Sequence, residues 1–377
     1  MLESYAKLKF EASANAIYAR MPPEMQRRAK VLGELNSYYE ETEFDAQFEV
    51  YFEEMMVNVT AQLFGHSGKQ RVIFVVGDSN SGKTSLVEHH LLLRPELQSF
   101  VDPDGEERSP VLRFDGPSKL TGKSIALAGL KALDYEIKSK TMSEQDLYAL
   151  FVDQMIENGK IIAHIDEMQQ VVREGNDEKI ASVADVIKLM AQVKDFPIHL
   201  IFSGLPTVAN FLSARPDAPN RDQQLSNRTH SVVHLPKLSA TEETDTEMVK
   251  KAMGKISNLT GIRLGDVMDE ETIGRIMHAA SYAFGSIVEL IKKAFGNALT
   301  YGDKIVEKDN FVAAYRQWRG CLPEQNIMSA NDWKLIKPQN SVSHVLPALV
   351  EKPTDEAIDA SGAPAQSENK RARKKGQ

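Results

Sequence analysis

The chain holds one cysteine, Cys321, in 377 residues. A single thiol excludes an internal disulfide framework and fits a reducing, cytoplasmic compartment. Long apolar runs are missing as well: none approaches the roughly 18 residues that a membrane-crossing helix needs, so no membrane role is expected. The first twenty residues, MLESYAKLKFEASANAIYAR, are broken by charges and do not have the form of a secretory signal. A surplus of positive charge is also absent. Lys and Arg number 45 against 53 Asp and Glu, a net charge of −8. That balance argues against nucleic-acid binding by bulk charge, but not against a basic surface on an acidic subunit. No internal repeat is evident.

What remains is the composition of an ordinary globular protein, 42% hydrophobic and 26% charged. Its length suffices for two or more domains. Residues 1–68 carry few Gly or Pro residues, chiefly Pro22, Pro23 and a Gly65-His66-Ser67-Gly68 break, and read as a helical segment. Within it, 44–64 place apolar residues at helical spacing, and the stripe Phe48, Tyr51, Phe52, Met55 and Met56 reads as core, with a neighbouring residue as an adenine-contact candidate.

The chain is organised around Arg71-Val72-Ile73-Phe74-Val75-Val76 followed by Gly77-Asp78-Ser79-Asn80-Ser81-Gly82-Lys83-Thr84-Ser85. An apolar β-type run feeds directly into G-x-x-x-x-G-K-T, with a helical pattern after it. Gly77 and Gly82 permit a tight loop whose backbone N–H groups turn towards an anion. The following helix offers its positive dipole end to the same phosphates. Lys83 is expected at the β- and γ-phosphates of ATP and the Thr84 hydroxyl on Mg²⁺.

Alternating strand and helix patterns continue through 110–115, 161–165, 198–203 and a shorter 231–235, as in parallel-sheet proteins. Ile161–Ile165 ends in Asp166 and Glu167, 83 residues beyond Lys83 (166 − 83). Asp166 is the expected Mg²⁺ partner and Glu167 the general base for water. Ser203 ends the next strand, either as a residue touching water or γ-phosphate or as an ordinary strand-to-helix serine. Arg228, with Arg221 as competitor, precedes the last strand. A planar guanidinium there suits charge on a neighbouring subunit's γ-phosphate. From 238 the pattern turns helical, over 240–259, 270–281, 284–300 and 308–318. The stretch 321–377 reads as an extended, largely disordered tail. Its Lys370–Lys375 end holds five positive residues in six, either a solvated terminus or an arm on DNA.

In the order VIFVVGDSNSGKTSLV, PVLRFDGPS, IIAHIDEMQQ, IHLIFSGLP, DQQLSNRTHSVVHLPKL, residues 30–320 resemble the AAA+ ATPases, and among them transposition regulators of the MuB/TnsC/TniB type. The resemblance implies an α/β fold: a three-layer α/β/α P-loop domain at 69–237, a helical lid at 238–320, and the helical segment and tail at either end. It implies ATP and Mg²⁺ at subunit interfaces and a homo-oligomeric ring or filament on double-stranded DNA. Such assemblies recruit transposase and target-selection proteins and come apart on hydrolysis. Lys119 and Lys123 are the DNA-contact candidates, or else cap an exposed helix. One departure stands out: where the lid pattern G-x-x-R is common, Gly285-Ser286-Ile287-Val288 has valine, and Lys292 and Lys293 are the weak substitutes. The rivals are a replication initiator or loader of the same superfamily, and a nucleotide-switched signalling scaffold without DNA.

Overall fold

The computed structural model describes residues 2–117, 122–137, 142–168, 190, 193, 195–206 and 229–338. Three helices lead, α1 (Leu2–Tyr18), α2 (Pro23–Ser37) and α3 (Glu43–Ala61). Thr42 starts α3 with a reciprocal cap: its hydroxyl accepts from the helix backbone while Asp45 accepts from the Thr42 amide at 2.7 Å.

Five parallel strands form the sheet, in chain order β1 (Val72–Gly77), β4 (Val111–Asp115), β5 (Ile162–Asp166), β6 (His199–Gly204) and β7 (Thr229–Leu235). Between β1 and β4 run α4 (Lys83–Leu93) and an antiparallel pair, β2 (Phe100–Val101) and β3 (Glu107–Arg108). Helices α5 (Gly122–Ala132) and α6 (Glu144–Glu157) separate β4 from β5. The spatial order β4-β5-β6-β1-β7 sets β6 between the two strands that end in the phosphate loop and in Asp166.

Alternation along β1 explains the layers. Val72, Phe74 and Val76 pack with α5 and α6 on one face, whereas Ile73 and Val75 pack with α3 and α4 on the other. The stripe on α3 is core as its spacing predicts: Phe48, Phe52 and Met55 are buried, and Tyr51 and Met56 pack beside them. Strand β7 is seven residues long, not the short 231–235 of the sequence reading. It pairs with β1 alone, through a register shift at Val72/Ile73. An edge place tolerates its polar Thr229 and Ser231, which the apolar-run criterion passes over.

The helical region holds α7 (Glu243–Thr260), α8 (Glu270–Ala279), α9 (Phe284–Tyr301) and α10 (Lys308–Arg319), with a two-strand pair of β8 (Arg263–Leu264) and β9 (Ile305–Val306). It has its own core, which takes in Leu35 of α2. Residues 321–336 depart from the extended tail expected of them. Ile327 is fully buried, Arg275 of α8 donates to the carbonyls of Ile327 (2.7 Å) and Ala330 (2.8 Å), and its guanidinium lies over Trp333. The Pro, Ser and Asn content that suggests disorder here serves tight turns that satisfy α8. The basic Lys370–Lys375 run lies outside the described residues.

Candidate functional site

The loop from Gly77 to Lys83 is shaped by its neighbours. A Cβ at Gly77 would stand 2.7 Å from the Leu235 carbonyl of β7, so only glycine fits. Asn80 and Gly82 adopt left-handed conformations, φ 61° and 104°, which turn backbone amides inward. Lys83 begins α4 and is buried. Its ammonium donates to the Asp78 carbonyl at 2.7 Å. Burial lowers its pKa, opposed by the carboxylates of Asp166, Glu167 and Asp78. Ser79, Ser81 and Ser85 complete the loop, and the Ser81 hydroxyl is buried without a partner. Lys237 pairs with the Asp78 carboxylate at 3.2 Å.

The strand order brings Asp166 opposite this loop, and three donors converge on its carboxylate. Thr84 Oγ1 donates to Oδ2, and Ser203 Oγ donates to Oδ1. The Glu167 amide also donates to Oδ1, at 2.8 Å. Since the Ser203 proton is committed to Asp166, Ser203 must accept from His164 Nε2, 2.8 Å away. His164 is buried, and desolvation pushes its pKa down to about 4 despite the Asp166 charge. The result is a directed chain from neutral His164 through Ser203 to Asp166. Sequence reasoning missed His164, whose alternation within an apolar strand reads as core. Glu167 follows in a left-handed conformation, φ 57°, which non-glycine residues adopt at a cost of about 1–3 kcal/mol and chiefly at functional positions.

A cleft joins these residues to the helical region. Its polar end is lined by Asn80, Gly82, Lys83, Thr84, Glu167, Gly285, Ser286, Glu289 and Trp318. Its apolar end is lined by Tyr38, Tyr39, Thr42, Phe44, Leu86, Leu235, Phe284, Val288 and Lys292. Both ends share Gly82, Ser85, Gly285 and Glu289, so the cleft runs continuously from aromatic to phosphate-loop surface. The N-terminus of α9 abuts the loop: the Ser286 amide donates to the Asn80 carbonyl at 3.1 Å. A Cβ at Gly285 would lie 2.5 Å from that same carbonyl oxygen.

The wall formed by residues 38–40 is anchored from the helical side. Buried Glu40 accepts from the Tyr38 hydroxyl and pairs with Lys255 (2.9 Å) and Lys251 (3.3 Å) of α7. Burial would raise its pKa, yet these partners hold it below the usual carboxylate range. Neither substitute lysine reaches the phosphate loop. Lys292 donates to the carbonyls of Tyr38 (2.6 Å) and Asn36 (3.1 Å), and Lys293 pairs with Glu289 at 2.9 Å.

Residues of the 77–85 loop, Glu167 and an apolar pocket therefore share one cleft. The family model for bacterial TniB proteins matches residues 50–239, half of the chain. The chain belongs to the TniB family. Its five parallel strands with flanking helices are the α/β fold expected from the sequence. Among solved structures, this TniB-family chain is similar to the ORC2 protein of Aeropyrum pernix in its ADPNP–ADP complexes, at 13% identity and a TM-score of 0.49. That match covers 70% of this chain and 66% of the other, just under two thirds of its length. Cdc6p of Pyrobaculum aerophilum matches at 11% identity and a TM-score of 0.49, over 76% and 70% of the two chains. The ORC1 protein of A. pernix in complex with DNA matches at 13% and 0.47, over 82% and 79%. No curated protein matches the sequence.

Of the remaining candidates in this TniB-family chain, Lys123 starts α5 and donates to the Met142 carbonyl at 2.8 Å, away from the cleft residues. Arg228, Arg221 and Lys119 lie outside the described residues. Trp318 and Glu289 escaped sequence reasoning, since nothing local marks a helix residue that another domain's loop will meet. No helix among the described residues is long and apolar enough to cross a membrane.

Proposed function

We propose that the protein is an ATP-dependent regulator of DNA transposition that assembles with ATP on double-stranded DNA, recruits transposase and target-selection proteins, and disassembles on hydrolysis. The observation that supports it is the convergence of Thr84, Ser203 and the Glu167 amide on Asp166, beside a cleft whose polar end Lys83, Thr84 and Glu167 line, in a chain of the TniB family.

The donor set suits Mg²⁺. Thr84 and Asp166 offer one hydroxyl and one carboxylate oxygen side by side, and among the described residues no cluster of three His, Cys, Asp or Glu builds an all-protein cage. Mg²⁺ is commonly held by one or two protein oxygens together with phosphates and water. When bound it would neutralise charge on the β- and γ-phosphate oxygens. The protein's own groups do the rest. Backbone amides of residues 78–84 orient the phosphates, and Lys83 holds their terminal end. Glu167 takes the proton of the attacking water. Ser203, fixed by His164, keeps the Asp166 carboxylate in place. Arg228 completes the site from a neighbouring subunit, so that assembly and γ-phosphate are coupled. The helical region acts as the lid, and Lys119 and Lys123 contact DNA phosphates in a salt-dependent, sequence-tolerant manner.

Filter retention of labelled duplex DNA tests this reading. Wild-type protein should retain DNA with Mg-ATP and release it as ATP is consumed. Glu167→Gln should bind ATP but turn over at least about a hundredfold more slowly, holding DNA for longer. Lys83→Ala should not respond to ATP. Retention indifferent to nucleotide in all three proteins would overturn the proposal.

A further inference from the structure

Helix α1 leaves its apolar face uncovered among the described residues. From Lys7 to Tyr18 no residue of it is buried, and none enters the three apolar cores. Phe10 (72% exposed) and Ile17 (59%) lie seven residues apart, two turns along one face, with Ala14 between them and Tyr18 (42%) at the side. A helix of this length is marginal in water unless it packs against something.

The same chain displays a matching face. Helix α3 turns Phe48, Phe52 and Met55 into the core, so its opposite side meets solvent. There Val50 (52% exposed) and Val57 (68%) are again seven residues apart, which on either helix is about 10.5 Å. Leu63 (79%) and Phe64 (91%) add apolar surface just beyond the end of α3. Charge distinguishes the two faces. Helix α3 carries Glu43, Asp45, Glu49, Glu53 and Glu54 and no Lys or Arg, and Glu43 and Glu53 flank the two valines. Lys7 flanks Phe10 on α1, Arg20 follows the helix end, and residues 1–30 hold six basic residues against three acidic. Within one subunit the two faces do not meet, since both stay exposed. Two apolar stripes of equal spacing, edged by opposite charges and present on every copy, suit a contact between copies. Duplex DNA would engage Lys7 and Arg20 but leave Phe10 and Ile17 in water.

We propose that α1 of one subunit docks on the outer face of α3 of the next, with Phe10 and Ile17 packed on Val50 and Val57 and with Lys7 and Arg20 beside Glu43 and Glu53. The donating and accepting faces differ, so each subunit gives one helix and receives another. Such head-to-tail contacts build closed rings or open filaments. Nucleotide takes no part in this contact, so the inference goes beyond the cleft reading and stands or falls apart from it.

Photo-crosslinking of the full-length chain tests it, with benzoylphenylalanine in place of Phe10. Equal amounts of isotopically heavy and light protein are mixed with and without duplex DNA, irradiated, digested and weighed by mass spectrometry. Mixed heavy–light peptides joining position 10 to residues 43–64 are expected. Crosslinks confined to one chain, crosslinks to DNA or to another part of the protein, or none at all would overturn the proposal. Charge reversal gives a second reading. Lys7→Glu with Arg20→Glu should weaken self-association, followed by sedimentation, about tenfold. Mixing that variant with one carrying Glu43→Lys and Glu53→Lys should recover most of the loss, because every contact between the two is again of opposite charge. No recovery, with both variants folded by circular dichroism, would count against the pairing as firmly as a missing crosslink.

Discussion

At the scale of single residues, His199 shows how a buried titratable group ties the sheet to its flanking helix. It begins β6, fully buried. Its Nδ1–H donates to the Pro197 carbonyl at 3.3 Å, leaving Nε2 as the acceptor for the Asn58 amide of α3 at 3.2 Å. Only the neutral ring can satisfy both, because a second ring proton would face the Asn58 N–H donors. Burial, and then the Arg71 charge, push its pKa down from 6.5 to about 4. A depressed folded-state value means that the unfolded chain takes up the proton first. Its contribution is therefore complete above pH 6.5 and is lost as pH falls towards about 4. The shift corresponds to a loss on the order of 3 kcal/mol. Urea unfolding at pH 7 and pH 4.5 should show His199→Gln to be less pH-sensitive than wild type over that interval; an unchanged acid slope would contradict the assignment. His90 works in the opposite sense. Burial opposes its charge, but Asp45 and Glu49 raise its pKa above 6.5, so its contribution is present at lower pH and fades above neutrality.

Among secondary-structure elements, the contact of α9 with the phosphate loop couples the two halves of the cleft. Gly285 has no space for a side chain beside the Asn80 carbonyl, and that oxygen belongs to the backbone, which cannot rotate away. Gly285→Ala must part the helix from the loop. Overpacking of this kind costs about 1–3 kcal/mol, so nucleotide affinity should fall by about an order of magnitude. Melting of the nucleotide-free protein should change far less, since the α9 core from Ile287 to Ala298 is unaffected. Equal affinity in the variant, measured by titration with ADP, would contradict this role. The elements themselves were largely legible in sequence. Strand β1 is an apolar run and β5 and β6 are mainly apolar, all three buried along their length, and α7 to α10 follow 3.6-residue periodicity with clear ends. The phosphate loop and Asp166-Glu167 were legible for a related reason: each is contiguous, and its chemistry is written within a few residues. Gly285, Glu289 and Trp318 were not. They are brought to the loop by packing of the helical region, which has no local signature. The turn-rich 321–336 stretch misled because its anchors, Arg275 and Trp333, act across 58 residues (333 − 275).

Three facts bear on the molecule as a whole. The TniB family match spans 50–239, the cleft lies between the sheet and the C-terminal helices, and among the described residues on its polar wall Lys83 is outnumbered by the carboxylates of Glu167 and Glu289. A site of that kind fits the proposed function, in which assembly follows the nucleotide. An overall charge of −8 means that any DNA-facing surface would be a local one. Electron microscopy of the purified protein with double-stranded DNA, in ATP, ADP or a non-hydrolysable ATP analogue and with Lys83→Ala as control, tests this most directly. Rings or filaments on DNA that require the γ-phosphate and vanish in the variant are the predicted result. Particles that ignore DNA in every nucleotide state would contradict the account.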